Sequence, residues 1–276
     1  MKDELGTMSE MTHSSVFPLV AADVGNNRIK LGLFEADSRD ELPEPKAWFG
    51  VSDREPDLDR IGRWLSEDVP ASVSWWIGSV NRPTTTRLID WLRTTRPSDR
   101  ITMLAAGDLS LVVAVERPDM VGIDRLLDAV AVNRLRDPCR AAVIVDLGSA
   151  ITVDAVSREG SFLGGVIMPG IGMSARALHE FTDLLPWIDV AGLTRPPLPL
   201  GKATIPAMQS GLFWGTVGAI RQLVELLSKE VADEPEVFLS GGAAPAIAEA
   251  LDLPLRHVPH LTLAGIALTA KAQPEA

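Results

Sequence analysis

The sequence predicts an α/β fold made of two similar units that face each other across a cleft. Two stretches, 17–34 and 141–154, share one pattern: an apolar run, an Asp-x-Gly turn and a strand with alternating side chains. In both halves, further strands and helices follow in the same order, and a helix closes each half. Alternating strands and helices favour a layered α/β fold, and the repeated order indicates an internal duplication.

The first half begins with two strands joined by a tight polar turn. The apolar run 17–22 is typical of a buried strand, and apolar residues alternate with polar or small ones over 29–33, as in a half-buried strand. The next predicted elements are a strand at 46–51, a helix from Leu58, a strand at 73–80, a helix at 84–95, a strand at 101–105 and a helix that opens near Ile123.

The second half repeats this order around the apolar run 141–145. Its further predicted elements are a strand at 162–168, helices at 174–184 and 206–231, a strand at 237–239, a helix at 244–251, a strand at 255–258 and a last helix at 261–271. The long helix carries Gly211, Gly215 and Gly218, and glycine costs a helix about 1 kcal/mol relative to alanine. We therefore expect another backbone to pack closely there, either within the chain or from a second copy.

Composition restricts the class of protein. The chain has 276 residues, of which 46% are hydrophobic and 23% charged, and its net charge is −11. An acidic surface argues against nucleic acid or an anionic membrane as the main partner. The single cysteine excludes an intrachain disulfide framework and a zinc cluster, and it fits a reducing cytoplasm. No apolar run approaches the length of a membrane span.

Three segments are predicted along the chain. Residues 1–15 are polar, lack the apolar core of a signal peptide, and are expected to form a flexible tail. The first lobe is predicted at 16–139 and the second at 140–276. The two Asp-x-Gly turns then face each other across the cleft, where they are placed to grip a nucleoside triphosphate.

The turn after the first strand has the composition of a phosphate site. Gly25 lets a ligand approach the backbone, while exposed N–H groups and the amides of Asn26 and Asn27 can donate to phosphate oxygens. Lys30 can neutralise charge, and Asp23 can orient Mg²⁺ through water. The alternative is a hairpin in which Gly-Asn only makes a type I′ turn. The recurrence of the pattern in the second half favours the phosphate site.

Two other turns leave alternatives open. Asp124 and Arg125 lie in the first turn of a predicted helix, where the helix dipole favours a carboxylate, but an aspartate there is also a common helix cap. The turn 240–242 follows a strand and precedes a helix. Its glycines let it lie under an adenine or ribose, although a plain strand-to-helix turn has the same composition.

Five motifs together resemble the type III pantothenate kinase family. They are Asp23-Val24-Gly25-Asn26 with Lys30, Gly122-Ile123-Asp124-Arg125, and the segments 146–154, 163–170 and 201–211. They follow the family's order from about Leu19 to the C-terminus. The family has the actin-like fold shared with acetate and sugar kinases and with chaperone ATPases. The resemblance thus implies a duplicated actin-like, ribonuclease H-like fold of two lobes with an ATP cleft between them.

The resemblance also implies an activity. A member transfers a phosphoryl group from ATP to pantothenate and produces 4′-phosphopantothenate, the first step of coenzyme A biosynthesis. It implies Mg²⁺ with the ATP, a monovalent cation that is K⁺ or NH₄⁺, and a homodimer with shared active sites.

Site residues are implied by position in the motifs. ATP binding is implied for Asp23, Val24, Gly25, Asn26, Asn27, Arg28, Ile29, Lys30 and Ser149, and pantothenate binding for Gly122, Ile123, Asp124, Arg125 and Thr204. Asp124 is the implied general base, Arg125 holds the pantothenate carboxylate, and Thr204 reaches the substrate from the partner subunit. Asp146 is implied to bind the monovalent cation.

The chain departs from the family pattern at three positions. Asn27 and Ser149 stand where members usually have threonine, and Val115 lies near the position of a tyrosine that packs on pantothenate. Asn27 and Val115 favour one alternative, a degenerate kinase fold that binds or regulates. A second alternative is another small-molecule kinase of the superfamily, such as a sugar kinase. The retained charged residues and the segments 122–125 and 201–211 favour pantothenate kinase over both.

Overall fold

The first half of the chain forms a five-stranded sheet. The computed structural model describes residues 16–35, 42–51, 57–231 and 234–273, so the predicted tail 1–15 lies outside the described residues. The strands are β1 (Leu19–Val24), β2 (Ile29–Phe34), β3 (Ala47–Val51), β4 (Ser74–Ser79) and β5 (Arg100–Met103). Their order is β3-β2-β1-β4-β5. β2 is antiparallel to β1 and β3, whereas β4 is parallel to β1 and β5.

The second half forms a sheet of the same topology. Its strands are β6 (Ala142–Leu147), β7 (Ala150–Val156), β8 (Phe162–Pro169), β9 (Glu236–Ser240) and β10 (Leu255–His257). Their order is β10-β9-β6-β7-β8, with an antiparallel β6-β7-β8 meander and parallel β9 and β10. The match of the two sheets, strand for strand, confirms the predicted duplication.

Seven α-helices connect and cover the sheets in the part of the chain that is described. They are α1 (Leu58–Asp68), α2 (Arg82–Thr95), α3 (Ile123–Leu135), α4 (Ile171–Glu180), α5 (Thr204–Glu230), α6 (Ala244–Leu251) and α7 (Leu261–Ala272). Asn81 shows why α2 begins where it does, because its side chain accepts the N–H of Thr84. The expected helix at 174–184 is instead α4, which starts directly after Gly170 and ends at Glu180.

Helix α7 fixes the position of α3, which carries one of the predicted motifs. The two helices pack against each other, and α7 also packs on β1 and β4 of the first sheet. At Gly265 the two backbones come so close that a Cβ would lie 2.1 Å from the carbonyl oxygen of Leu127. The C-terminal helix α7 therefore packs against residues of the first half of the chain. Their shared core cluster also includes residues of β6 and Phe162. The division at 139/140 stays a prediction.

The long helix α5 exposes its glycines. Gly211, Gly215 and Gly218 each face open space: a Cβ added at any of them would have no atom of the described chain within 4 Å, apart from the helix itself. A close contact within the chain is therefore excluded for the described residues, and contact with a second copy remains. Among the described helices, none combines the length and apolar composition needed to cross a bilayer.

Candidate active site

A cleft of about 750 Å³ opens between the two sheets. It is bounded on one side by the β1–β2 loop and the start of α3, and on the other by the β6–β7 loop and the turn that leads into α6. The charged and amide side chains that line it are Asp23, Asn26, Asn27, Arg28, Lys30, Asp124, Arg125, Asp128, Asp146 and Asp189. The two predicted turns thus face one cavity.

The β1–β2 loop has four residues. Asp23 is still in β1, Val24 pairs with Ile29, and the N–H of Gly25 donates to the carbonyl of Arg28 at 2.9 Å. Gly25 and Asn26 both lack the positive φ that the central residues of a type I′ turn require, so the alternative of a type I′ Gly-Asn turn is wrong. The four-residue loop holds both asparagine side chains in the cleft. Val24 and Ile29 are buried in the core of the first sheet, so only their main chain is available to a ligand.

Asp23 and Lys30 are cross-strand neighbours at the base of this loop. The ammonium nitrogen of Lys30 lies 3.6 Å from a carboxylate oxygen of Asp23, and the Asp23 side chain is 14% exposed. Burial raises the pKa of Asp23 to about 6, against the attraction of Lys30 and with the help of the carboxylates of Asp124 and Asp146. Burial also lowers the pKa of Lys30, but the carboxylates around it outweigh this effect and the net pKa is raised. Lys30 is therefore a cation at neutral pH.

Arg28 extends across the cleft to the turn 240–242. A Cβ at Gly242 would lie 2.8 Å from Nη1 of Arg28, and one at Gly50 would lie 2.8 Å from Nη2. The guanidinium thus occupies space that both glycines leave free. Its Nε is buried without a hydrogen-bond partner in the described chain. Gly241, at φ +97°, adopts a conformation that other residues rarely reach.

The β6–β7 loop presents Ser149 and the carboxylate of Asp146. The loop is closed by a hydrogen bond of 3.1 Å from the N–H of Gly148 to the carbonyl of Ala150. Oδ1 of Asp146 is buried and has no hydrogen-bond partner among the described residues. Burial raises the pKa of Asp146, and Lys30 opposes the shift. A buried, unpaired carboxylate oxygen is a suitable ligand for a cation.

The first turn of α3 places Asp124 and Arg125 in the cleft. Oδ1 of Asp124 accepts the backbone N–H of Arg125 at 2.9 Å. A Cβ at Gly122 would lie 2.5 Å from the same oxygen, so glycine at the N-cap makes room for this carboxylate. Ile123 is buried in the core instead. Of the segment 122–125, only the side chains of Asp124 and Arg125 line the cavity.

Arg125 is held by a carboxylate that the sequence did not assign. Its Nε lies 3.1 Å from both oxygens of Asp154, and Nη2 also donates to Oδ1. Asp154 lies on β7, in the second sheet. Burial raises the pKa of Asp154, and Arg125 opposes that shift.

Asp128 is a cleft residue that sequence reasoning missed. It lies one helical turn after Asp124, is 3% exposed, and accepts a 2.8 Å hydrogen bond from the hydroxyl of Thr262 on α7. Burial, together with Asp146, raises its pKa well above the usual value. The signal was its i+4 spacing from Asp124, since such residues share one face of a helix.

Thr204 is not brought into the cleft of its own chain. It is the first residue of α5, is exposed, and lies outside the set of cleft-lining residues. Val115 packs against the core near Gly164 and is not among the residues that line the cleft.

Comparison with known proteins identifies relatives over nearly the whole chain. The profile of the type III pantothenate kinase family matches residues 19–226. Type III pantothenate kinase of Paramagnetospirillum magneticum is 34% identical over 90% of this chain and 95% of its own length. The enzyme of Rhodospirillum rubrum is also 34% identical, over 90% of this chain and 96% of its own.

Solved structures of similar fold are more distant in sequence. An archaeal actin homologue superposes with a TM-score of 0.50 at 12% identity, covering 92% of this chain and 98% of that one. The ethanolamine utilization protein EutJ of Carboxydothermus hydrogenoformans gives a TM-score of 0.50 at 14% identity, covering 91% and 89%. These likenesses confirm the actin-like fold.

Proposed function

Because the chain belongs to the type III pantothenate kinase family, we propose that its cleft phosphorylates pantothenate with Asp124 as the general base. The reaction joins the γ-phosphorus of ATP to the 4′-hydroxyl oxygen of pantothenate and yields 4′-phosphopantothenate and ADP. The observation that carries this assignment is the single cavity in which both Asp-x-Gly turns and the first turn of α3 meet. Phosphoryl transfer needs mostly positioning and charge neutralisation, and this cavity offers both.

The two loops are assigned to the phosphates of ATP. The β1–β2 loop offers backbone N–H groups, the amides of Asn26 and Asn27, and the cations Arg28 and Lys30. Ser149 offers a hydroxyl from the opposite loop. Donors from both sheets then converge on one chain of phosphates, as a nucleotide bound between two halves requires.

Asp124 is assigned to the proton of the attacking hydroxyl. Its Oδ1 accepts the N–H of Arg125, which fixes the carboxylate at the helix start. A general base must be unprotonated before it acts. The positive end of the helix dipole, at the start of α3, favours the negatively charged form of this carboxylate. Oδ2 is the oxygen that we assign to the hydroxyl, and it takes up the proton as the oxygen–phosphorus bond forms. Arg125 is assigned to the substrate carboxylate.

Two cations fit the carboxylates of the cleft. We assign Mg²⁺ to Asp23 through water, since magnesium keeps several waters and takes one or two carboxylates. The unpaired buried oxygen of Asp146 fits a monovalent cation, K⁺ or NH₄⁺. Bound there, such ions neutralise charge on the phosphates and on the carboxylates around them.

We propose a homodimer in which Thr204 of the partner subunit completes the pantothenate site. Two observations support contact between copies near α5. Its glycine face is open to a second backbone. The segment that leads to Thr204 also exposes large apolar side chains, namely Phe181, Leu184, Trp187, Leu198 and Leu200. Such exposed apolar surface is typical of protein–protein contacts. We place the enzyme in the cytoplasm, with pantothenate and ATP as its partners.

The test is ATP-dependent conversion of pantothenate by the purified protein with Mg²⁺ and K⁺, followed as 4′-phosphopantothenate by mass spectrometry. Product is expected from the wild type, and Asp124→Asn should lower turnover by about 10²–10⁴-fold. Asp90→Asn is the matched control, because Asp90 is exposed on α2, and it should keep full activity. A folded wild type that makes no product would instead favour a binding or regulatory protein. Asn27→Thr and Val115→Tyr would then be the reversions to measure.

A further inference from the structure

Arg125 and Asp154 form a nearly buried ion pair between the two halves of the molecule. The side chain of Asp154 is 2% exposed and that of Arg125 is 13% exposed. Arg125 enters from α3, whereas Asp154 stands on β7 of the second sheet. Two nitrogens of the guanidinium, Nε and Nη2, donate to this one carboxylate. The pair thus fixes an arginine of the cleft at a defined angle.

The surroundings of the pair are shaped to hold that angle. Gly165 on β8 pairs with Asp154, and a Cβ there would lie 2.3 Å from Oδ1 of Asp154. The carboxylate of Asp154 therefore occupies the space that a side chain at position 165 would fill. The ring of Phe162 packs against the guanidinium, with its centroid 5.4 Å from Cζ of Arg125. A ring contact and an in-plane carboxylate together restrict the rotation of a long, flexible side chain.

The ion pair with Asp154 uses only some of the N–H donors of Arg125. A guanidinium has five N–H donors, and Asp154 takes the side edge formed by Nε and Nη2. The end edge, formed by Nη1 and the second N–H of Nη2, has the parallel geometry that binds a carboxylate through both oxygens. Arg125 lines the cleft, so this edge is the part of the group that a ligand can use.

We propose that Asp154 is a positioning residue that aims the end edge of Arg125 at the carboxylate of pantothenate. The inference rests on the proposed function, in which Arg125 binds that carboxylate. Asp154 is not among the residues that line the cleft, and it acts on the substrate through Arg125. It therefore sets the affinity for an acidic substrate without taking part in phosphoryl transfer.

The first test is steady-state kinetics of Asp154→Asn in the full-length protein, with each substrate varied in turn. The KM for pantothenate should rise about 10- to 100-fold, the range expected for losing a charged hydrogen-bonded partner. The KM for ATP and kcat should stay within about threefold, because the nucleotide site and Asp124 are untouched. A residue that only stabilised the fold would move all three constants together.

A double-mutant comparison isolates the route through Arg125. Arg125→Ala alone should raise the pantothenate KM, and adding Asp154→Asn to it should raise the KM no further. If the two effects add, Asp154 acts elsewhere and the inference is overturned. Asp154→Glu keeps the charge but adds a methylene in a closely packed site, so it should raise the KM in a protein that is still folded by circular dichroism, at a somewhat lower melting temperature. An unchanged KM in a folded Asp154→Glu protein would count against positioning.

A crystal structure of the wild type with pantothenate tests the geometry without any variant. The expected complex has Nη1 and Nη2 of Arg125 on the substrate carboxylate while Nε stays on Asp154. An Arg125 that leaves Asp154 to reach the substrate would refute the inference.

The two hypotheses fail in different ways. A wild type without product, or an Arg125→Ala protein with normal pantothenate KM, would overturn the proposed function itself. If Arg125→Ala raises the KM and Asp154→Asn does not, only the positioning role is lost.

Discussion

Replacing Asp23 by asparagine should stabilise the fold at neutral pH while it removes the binding of magnesium ATP. Folding raises the pKa of this carboxyl from 3.8 to about 6, because burial outweighs the attraction of Lys30. A carboxyl with a raised pKa binds more protons in the folded chain than in the unfolded chain between those two values. The fold therefore loses stability as the pH rises through that window.

The size of the effect follows from the shift. A change of about two pKa units corresponds to about 3 kcal/mol, because each unit is worth about 1.4 kcal/mol. Asparagine stays neutral at every pH, so Asp23→Asn should gain about 3 kcal/mol at pH 7 and less than about 1 kcal/mol at pH 4. At neutral pH this equals a rise of about 6–12 °C in melting temperature for a chain of this size.

The assay is urea denaturation followed by tryptophan fluorescence between pH 4 and 7, at one protein concentration and with a chelator present. Asp90→Asn serves as the control, because Asp90 is exposed on α2 and lies outside the cleft. An Asp23→Asn protein that is no more stable than the wild type at pH 7 would refute the reasoning. So would a gain in stability that does not shrink toward pH 4. Magnesium ATP should raise the melting temperature of the wild type but not that of Asp23→Asn.

Three further predictions use the same cleft and the surface of α5. Lys30→Met leaves buried carboxylates without their ammonium partner, so the unfolding free energy should fall by about 3 kcal/mol at pH 7. The KM for ATP should also rise. A variant as stable as the wild type in the urea assay would argue against the pairing of Lys30 with these carboxylates. Replacing K⁺ by Na⁺ should lower kcat if Asp146 holds the monovalent cation, and equal rates in the two salts would remove that assignment. Gly215→Glu should convert a dimer to monomers in analytical ultracentrifugation, because it places a charge on the open glycine face, and a mass that does not change would locate the subunit contact elsewhere.

Local patterns sufficed to predict the elements of the fold. Apolar runs, period-2 alternation and helical spacing gave each strand and helix to within a few residues, because each element buries one face of its own sequence. The repeat of one pattern at 17–34 and 141–154 predicted that the two sheets share a topology, because similar patterns form similar strands and turns. The error at α4 arose from Gly170. The apolar spacing of 174–184 did not reveal that the helix starts directly after this glycine.

Pairings between distant residues could not be predicted in this way. Asp154 was visible as the end of a motif, but its contact with Arg125 joins residues 29 positions apart, one on helix α3 and the other on strand β7. Asp128 lies among apolar neighbours on α3, and only its contact with Thr262 on α7, 134 positions away, shows that it belongs to the cleft. Thr204 lies outside the cleft of the described chain, and nothing in the local sequence of α5 predicts this position.

If ATP binds as we propose, the charge of the cleft predicts that cations bind together with it. Asp23, Asp124, Asp128 and Asp146 all line the same cavity. Their mutual repulsion adds to burial and raises the pKa values of Asp23, Asp128 and Asp146. A polyphosphate brought into such a site adds like charge, which Lys30 and Arg28 offset only in part. Cations held by the same carboxylates reverse this balance, because they relieve the repulsion between the carboxylates and attract the phosphates at the same time. On this hypothesis, the carboxylates that destabilise the cleft without cations are the same groups that favour the binding of a nucleotide with them.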